Sequence, residues 1–235
     1  MKNEIIVGSR GSSLALKQTE YVIEKLQRAY PENEYEIKVI HTIGDKIQHI
    51  ALDKINDKGV FVKEIEKELL EHTIDLAVHS LKDMPSDNPA GLVYAKTLAP
   101  SDYRDCLVLK NCSSLARLPQ HATIATGSKR RKYQLLKLRP DLKIVDIRGN
   151  VNTRLQKMAN QEIDGLVLAS AGLKRLGLED LISEYLDETK MIPACGQGIL
   201  AIQVRQDSEL LTMINNISDE ITTTRMELER LFLKQ

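Results

Sequence analysis

The apolar positions of this chain follow two alternating patterns, short continuous runs and positions spaced three or four apart. A run at residues 5–7 predicts a first strand. Leu14, Ala15 and Leu16, then Tyr21, Val22, Ile23 and Leu26, predict a helix with one apolar face that stops near Pro31. Residues 35–40 read as a second strand. Phe61, Ile65 and Leu69 recur every four residues, as in an amphipathic helix, and lead to a strand at 74–78. Strands separated by helices predict parallel pairing with right-handed crossovers. Around residues 98–102 the alternation pauses. It resumes with a strand at 123–126, a helix at 132–138, a strand at 143–147, a helix from Thr153 and a strand at 165–169. Ser128 and Asn152 are the expected N-caps of those two helices. A second pause at 192–198 precedes a last strand at 199–204.

Two pauses predict an α/β protein of two similar lobes, each a mainly parallel sheet flanked by helices. Two crossovers join them, and the last strand returns to the first lobe. The expected division is residues 1–98 with 199–217 for one lobe and 104–192 for the other. Residues 218–235 then read as the first helix of a truncated third, small domain. Ile221, Leu228, Leu231 and Phe232 mark that helix, and no Gly, Asn or Pro follows, so its apolar face is expected to lack a neighbour.

Five of the apolar runs end in turns of small residues that carry Arg or Lys and open a helical pattern. These turns are Gly8-Ser9-Arg10-Gly11-Ser12, His79-Ser80-Leu81-Lys82-Asp83, Thr126-Gly127-Ser128-Lys129-Arg130-Arg131, Ile147-Arg148-Gly149-Asn150 and Ala169-Ser170-Ala171-Gly172-Leu173-Lys174-Arg175. In an α/β sheet such turns lie at the carboxyl ends of strands, where ligands bind. Helix N-termini there offer free N–H groups and the positive end of a dipole. A cation in each turn makes a pocket for a ligand with several negative charges. Asp83 is the one acid among them, beside Lys82 and before Pro85. An anion there suits stabilisation of a developing cation, or proton exchange with an amine leaving group.

Composition sharpens this picture by exclusion. Lys+Arg and Asp+Glu are equal at 33, so the formal net charge is zero. That balance argues against generic attraction to nucleic acid or a membrane surface, and leaves the basic turns as local features. No stretch approaches the roughly 20 apolar residues of a membrane span. The N-terminus runs straight into the first strand without a signal-peptide core, so a cytoplasmic location is expected. Cys106, Cys112 and Cys195 are odd in number, lack metal-type spacing and read as buried or half-buried reduced thiols. The histidines are scattered, and no metal is expected.

Seven segments then stand in order along the chain: Gly8-Ser9-Arg10, Lys58-Gly59-Val60-Phe61-Val62-Lys63-Glu64, Ala77-Val78-His79-Ser80-Leu81-Lys82-Asp83-Met84-Pro85, Ser128-Lys129-Arg130-Arg131, Arg148-Gly149-Asn150-Val151-Asn152-Thr153-Arg154, Ala171-Gly172-Leu173-Lys174-Arg175-Leu176-Gly177 and Pro193-Ala194-Cys195-Gly196-Gln197-Gly198. Together they resemble the porphobilinogen deaminase family, also called hydroxymethylbilane synthases. The resemblance implies a transferase that joins porphobilinogen units head to tail, releasing ammonia each time, to give hydroxymethylbilane for haem and other tetrapyrroles. Each pyrrole carries acetate and propionate groups, which would account for the arginines.

By that resemblance Asp83 is the catalytic acid. Arg10, Lys82, Arg130, Arg131, Arg148, Arg154 and Arg175 would hold carboxylates. Ser12, Gln18, Ser80, Thr126, Ser128 and Gln197 would add hydrogen bonds, and Lys54 and Phe61 would border the cleft at a mobile loop. The family also implies a covalent dipyrromethane cofactor, held as a thioether by a cysteine in a Gly-Gly-Cys-Gln-type motif of a third domain. No such motif occurs in these 235 residues, so the chain is expected to be a fragment that keeps the catalytic residues and lacks the anchor. Gly127 and Lys129 replace a more usual Ser and Leu, Asn56-Asp57 stands at a common Gly-Gly pair, and Gln203 takes a usual Glu position. Porphobilinogen is the expected partner, with no nucleic acid, no membrane and a monomeric state. A second reading is a non-enzymatic, periplasmic-binding-protein-like receptor for a small polycarboxylate, because two α/β lobes with double crossovers are also that architecture.

Overall fold

The computed structural model describes residues 4–43 and 62–234. Lys54, Asn56, Asp57 and Phe61 lie outside the described residues. The chain runs through β1 (Glu4–Arg10), α1 (Ser13–Ala29), β2 (Glu34–Ile40), α2 (Lys63–Leu70), β3 (Leu76–Ser80) and β4 (Leu92–Tyr94). It continues through β5 (Asp105–Leu109), β6 (Thr123–Ala125), α3 (Lys129–Leu138), β7 (Lys143–Val145), α4 (Val151–Asn160), β8 (Gly165–Ala169), α5 (Ser170–Arg175) and β9 (Glu184–Tyr185). It then enters β10 (Leu200–Arg205), α6 (Leu210–Asn216) and α7 (Glu220–Leu233). Among the described residues one compact unit comprises 4–43, 62–100 and 199–234, and the other comprises 101–198.

The first unit is built on a sheet of order β2-β1-β3-β10-β4. Strands β1 and β2 pair in parallel from Glu4 opposite Glu34 to Arg10 opposite Ile40, and β1 also pairs in parallel with β3. β10 is antiparallel to both β3 and β4. Successive strand side chains point to opposite faces, so a strand buried on both sides must be apolar throughout. Ile5, Val7, Val78, Ile202 and Val204 accordingly meet Val22 and Leu26 of α1 on one face. Ile65 and Leu69 of α2 pack with Ile40, Ile74 and Ala77 on the other.

The second unit repeats the plan in a sheet of order β7-β6-β8-β5-β9. β6 pairs in parallel with β7 and β8, and β5 is antiparallel to β8 and β9. Alternate residues of β5 feed two cores: Leu107 and Leu109 pack with Ile124, Leu135 and Val167, while Cys106 and Val108 pack with Leu166, Leu168 and Leu173. Both sheets are thus mixed. Each keeps the run of three parallel strands expected from the strand–helix alternation at one side and adds one antiparallel strand, β10 or β5, with a fifth strand, β4 or β9, paired to that.

Several local expectations shift, and one about the last helix holds. β3 begins at Leu76 rather than at 74, although Ile74 is fully buried just before it. The turn after β3 is a single 3-10 turn at Leu81–Asp83, not the start of an α-helix. α4 begins at Val151, and its cap is Asn150, not Asn152: the Asn150 side chain accepts from Thr153 N at 2.9 Å. Gly149 at φ +113 turns the chain into that cap, a conformation L side chains rarely adopt. On α7, Ile221, Leu228, Leu231 and Phe232 are exposed, and the inward face is Thr222, Thr223 and Met226. Met226 packs with Leu81, Met84, Ile199 and Ala201 of the first unit. Among the described residues no helix is long and apolar enough to cross a membrane.

Candidate functional site

In the first unit the carboxyl ends of β1 and β3 share a sheet edge with the start of β10, where Leu200 lies opposite Ser80. Gln18, buried on α1, donates from Nε2 to Ser80 Oγ at 2.8 Å. One residue on, Thr19 Oγ1 donates to Ser9 Oγ at 2.9 Å. These bonds fix the ends of both strands, and so Arg10 and Ser80, against one helix. Ser12 serves as the N-cap of α1, accepting from Ala15 N at 3.3 Å.

Lys82 and Asp83 occupy the 3-10 turn that follows β3. The turn is closed by Met84 N donating to Leu81 O at 3.0 Å, and is tied to β10 by Leu81 N donating to Ile199 O at 3.1 Å. From α7, Arg230 donates to Pro85 O at 3.0 Å and Ser86 O at 2.7 Å, with its guanidinium 4.4 Å from the Tyr94 ring centre. Held on both sides, the turn leaves Asp83 exposed, with no hydrogen bond or ion pair to another described residue.

His79, one residue before Ser80, is buried. Burial and then the positive charge of Arg10 push its imidazole down to about 4, against a smaller opposing effect of Gln203. It is therefore neutral at pH 7. Gln203 in turn donates from Nε2 to Glu66 Oε1 at 3.1 Å, with both side chains buried. A Glu at 203 would set two carboxylates against each other, which gives the glutamine at this position a physical reason.

In the second unit the carboxyl ends of β6, β7 and β8 line up with the start of β5, where Asp105 lies opposite Ala169. Ser128 caps α3 and accepts from Arg131 N at 3.4 Å, while Thr126 Oγ1 accepts from Ser128 N at 3.2 Å. That cap places Arg130 and Arg131 in the first turn of the helix. Both reach Asp105: Arg130 Nη1 donates to Oδ2 at 2.7 Å, and Arg131 donates to Oδ1 from Nε at 3.0 Å and Nη2 at 2.8 Å. Gln197, fully buried, donates to the same Oδ1 at 2.9 Å and to Tyr103 O at 2.7 Å. Burial opposes ionisation of Asp105, but the charges of Arg131 and Arg130 and the Gln197 hydrogen bond outweigh it and hold the carboxyl below its ordinary range.

Next along the edge, Arg154 Nε donates to Gly149 O at 2.7 Å, beside Arg148, and Arg175 Nη2 donates to Gly198 O at 2.8 Å, beside Gln197. The site residues read from sequence therefore form two groups. Arg10, Ser12, Gln18, Ser80, Lys82 and Asp83 belong to the first unit. Thr126, Ser128, Arg130, Arg131, Arg148, Arg154, Arg175 and Gln197 belong to the second.

Similarity to known proteins matches this arrangement. Residues 5–213 match the family described as "Porphobilinogen deaminase, dipyromethane cofactor binding domain". The chain belongs to the porphobilinogen deaminase family. A curated porphobilinogen deaminase from Clostridium novyi is 51% identical over 98% of this chain and 79% of its own length. One from Clostridioides difficile is 53% identical over 97% and 77%. These relatives are transferases, the hydroxymethylbilane synthases. A periplasmic substrate-binding protein of an ABC transporter from Coxiella burnetii superposes with a TM-score of 0.55 over 96% of each chain at 13% identity, a likeness of fold alone.

The family's cofactor is dipyrromethane, and the donor set fits its polycarboxylate character: a run of arginines at strand ends, with hydrogen-bonding amides and hydroxyls between them. The thiols present do not fit its covalent anchor. Cys106 is buried and its thiol is pushed up to about 12 by burial, far from a reactive thiolate. Cys112 and Cys195 are half-buried and stand in no Gly-Gly-Cys-Gln-type motif. Among the described residues no group of His, Cys, Asp or Glu is arranged to hold a metal ion.

Asp105 and Arg230 are the site-supporting residues that sequence reasoning missed. For Asp105 one signal existed: a charged Arg104-Asp105 pair abuts the apolar run Cys106–Leu109. For Arg230, on a helix far along the chain, the sequence offers none.

Proposed function

We propose that this protein condenses porphobilinogen, as its curated relatives' name states of them, with Asp83 as the catalytic acid and the arginines at the strand ends as ligands of the substrate carboxylates. The observation that carries the reading is Asp83 itself: an exposed carboxylate, unpaired among the described residues, in a turn fixed by α7 and β10 and directly beside Lys82. As the carbon–nitrogen bond breaks, Asp83 gives the aminomethyl nitrogen the proton with which it leaves as ammonia, and the carboxylate so formed stabilises the positive charge left on the substrate. Arg10, Lys82, Arg148, Arg154 and Arg175 orient the acetate and propionate groups, and Gln18 with Ser80 keeps the Asp83 side of the site in register. Thr126 and Ser128 act by shaping the turn that presents Arg130 and Arg131. Dipyrromethane, when bound, supplies the pyrrole end to which the substrate is joined. The protein works as a cytoplasmic monomer in this reading.

The test uses the protein as its natural source makes it, with intact mass measured first and porphobilinogen consumption, ammonia and hydroxymethylbilane followed together. Consumption with matching ammonia release is expected, nearly abolished in Asp83→Asn and Asp83→Ala while porphobilinogen still binds. Near-normal turnover in either variant removes Asp83 from the catalytic role. Reversible binding of a simple carboxylate, with no consumption of porphobilinogen, would favour the two-lobed receptor instead.

A further inference from the structure

We propose that Asp105 is a positioning residue that divides the work of Arg130 and Arg131: it occupies the side-on fork of Arg131, so that the same fork of Arg130 stays open for a substrate carboxylate. The proposal rests on the deaminase reading for the identity of that carboxylate.

A guanidinium has one side-on fork, made by Nε–H and Nη2–H, whose geometry matches the two oxygens of a carboxylate. In Arg131 that fork is closed on Asp105 Oδ1, Nη1 donates to Val167 O at 3.2 Å, and the side chain is 8% exposed. In Arg130 the arrangement is reversed. Only Nη1 is engaged, by Asp105 Oδ2 and by Ile192 O, and the side chain is 26% exposed. Its Nε and Nη2 have no partner among the described residues.

The second anchor of Arg130 is itself fixed. Gln134 Nε2 donates to Ile192 O at 3.1 Å, and Ile192 N donates to Gln134 Oε1 at 2.7 Å. Arg130 is thus pinned through one nitrogen from two directions, and its free edge has one orientation. Asp105 is what permits two guanidinium groups to sit side by side. Without its charge, Arg131 is a buried cation lacking its counter-ion and Arg130 loses one of its two anchors.

The first experiment is a double-mutant cycle read by calorimetric titration with porphobilinogen, using Asp105→Asn, Arg130→Gln and the two combined. Each single change is expected to weaken binding roughly ten- to hundredfold, the loss of one charged hydrogen bond. The double variant should bind no more weakly than the weaker single one, because Asp105 acts through Arg130. Unchanged affinity in Asp105→Asn, or losses that multiply in the double variant, overturns the proposal. If the wild type itself fails to bind porphobilinogen, the deaminase reading falls.

The second measurement needs no variant and no substrate. In nitrogen-resolved NMR of the arginine side chains, Nε–H of Arg131 should exchange slowly and Nε–H of Arg130 rapidly, with the Arg130 signal moving when porphobilinogen is added. A protected Arg130 beside a rapidly exchanging Arg131 would sink the division of labour, whether or not Asp105→Asn folds.

Discussion

Keeping His79 neutral inside the first sheet ties the stability of that sheet to acid. Its imidazole is held near 4, below the unfolded value of 6.5, by burial and by Arg10. Below pH 6.5 the unfolded chain therefore takes up a proton that the folded chain refuses, so this contribution is full above pH 6.5 and is lost as pH falls toward 4. The loss amounts to about 2 kcal/mol by pH 5. Denaturant unfolding of the wild type and His79→Gln at pH 7.5 and pH 5 should show that extra loss only in the wild type. Equal acid sensitivity in both would mean that His79 is not the group responsible. At this scale the sequence was informative about type and poor about partners. The small-residue turns identified Arg130, Arg131 and Asp83 as chemistry-bearing. Nothing in their spacing showed that Asp105, 25 residues before Arg130, would gather both arginines, or that Arg131 would be turned inward while Asp83 stayed exposed. Those outcomes depend on which strands become neighbours.

Long periodic segments were legible as elements, and of the short ones β6 and β7 were legible while β4 and β9 were not. The α1 helix, β1, β2 and β8 follow directly from their apolar patterns, whereas β4 and β9 span only Leu92–Tyr94 and Glu184–Tyr185 and leave almost no periodic signal. The strand that became β10 was expected at 199–204 but its antiparallel direction was not, since direction is set by neighbours rather than by composition. The start of α4 shows how one glycine can outweigh a good capping residue. Asn152 looked suitable, but Gly149 turns the chain earlier and hands the cap to Asn150. Asn150→Ala should cost about 1 kcal/mol in thermal unfolding, as loss of an N-cap does. Gly149→Ala should cost more, because its Cβ would lie 2.6 Å from Thr153 Cγ2 and its backbone would be strained at φ +113. It should also weaken porphobilinogen binding, since Arg154 is anchored on the Gly149 carbonyl. A Gly149→Ala protein as stable as wild type would refute this account of the turn.

At the scale of the whole chain, the two units repeat one plan but differ in how the chain supplies it. Their fold is shared with periplasmic binding proteins at low identity, so the architecture says little about chemistry, and the family assignment rests on the collinear residues instead. The two-lobe pattern was readable because each lobe repeats strand, small-residue turn and helix. The insertion of β10 into the middle of the first sheet was readable only as a returning strand. Its consequence is physical. The second unit is the contiguous segment 101–198, with β5 to β9, α3 to α5 and two cores inside it. The first unit is not contiguous: β10 lies between β3 and β4 and supplies Leu200, Ile202 and Val204 to the core against α1 and Ala201 to the cluster around Met226. A fragment of residues 101–198 should therefore fold alone, with a cooperative thermal transition by circular dichroism, because a domain of this size can bury its own core. A fragment of residues 1–100 should show no such transition, since without β10 one edge of β3 is unpaired and both faces of the sheet lose core side chains. Cooperative melting of the 1–100 fragment would mean that β10 completes a sheet already stable without it, and the reverse pattern would place the autonomous folding unit in the first half of the chain.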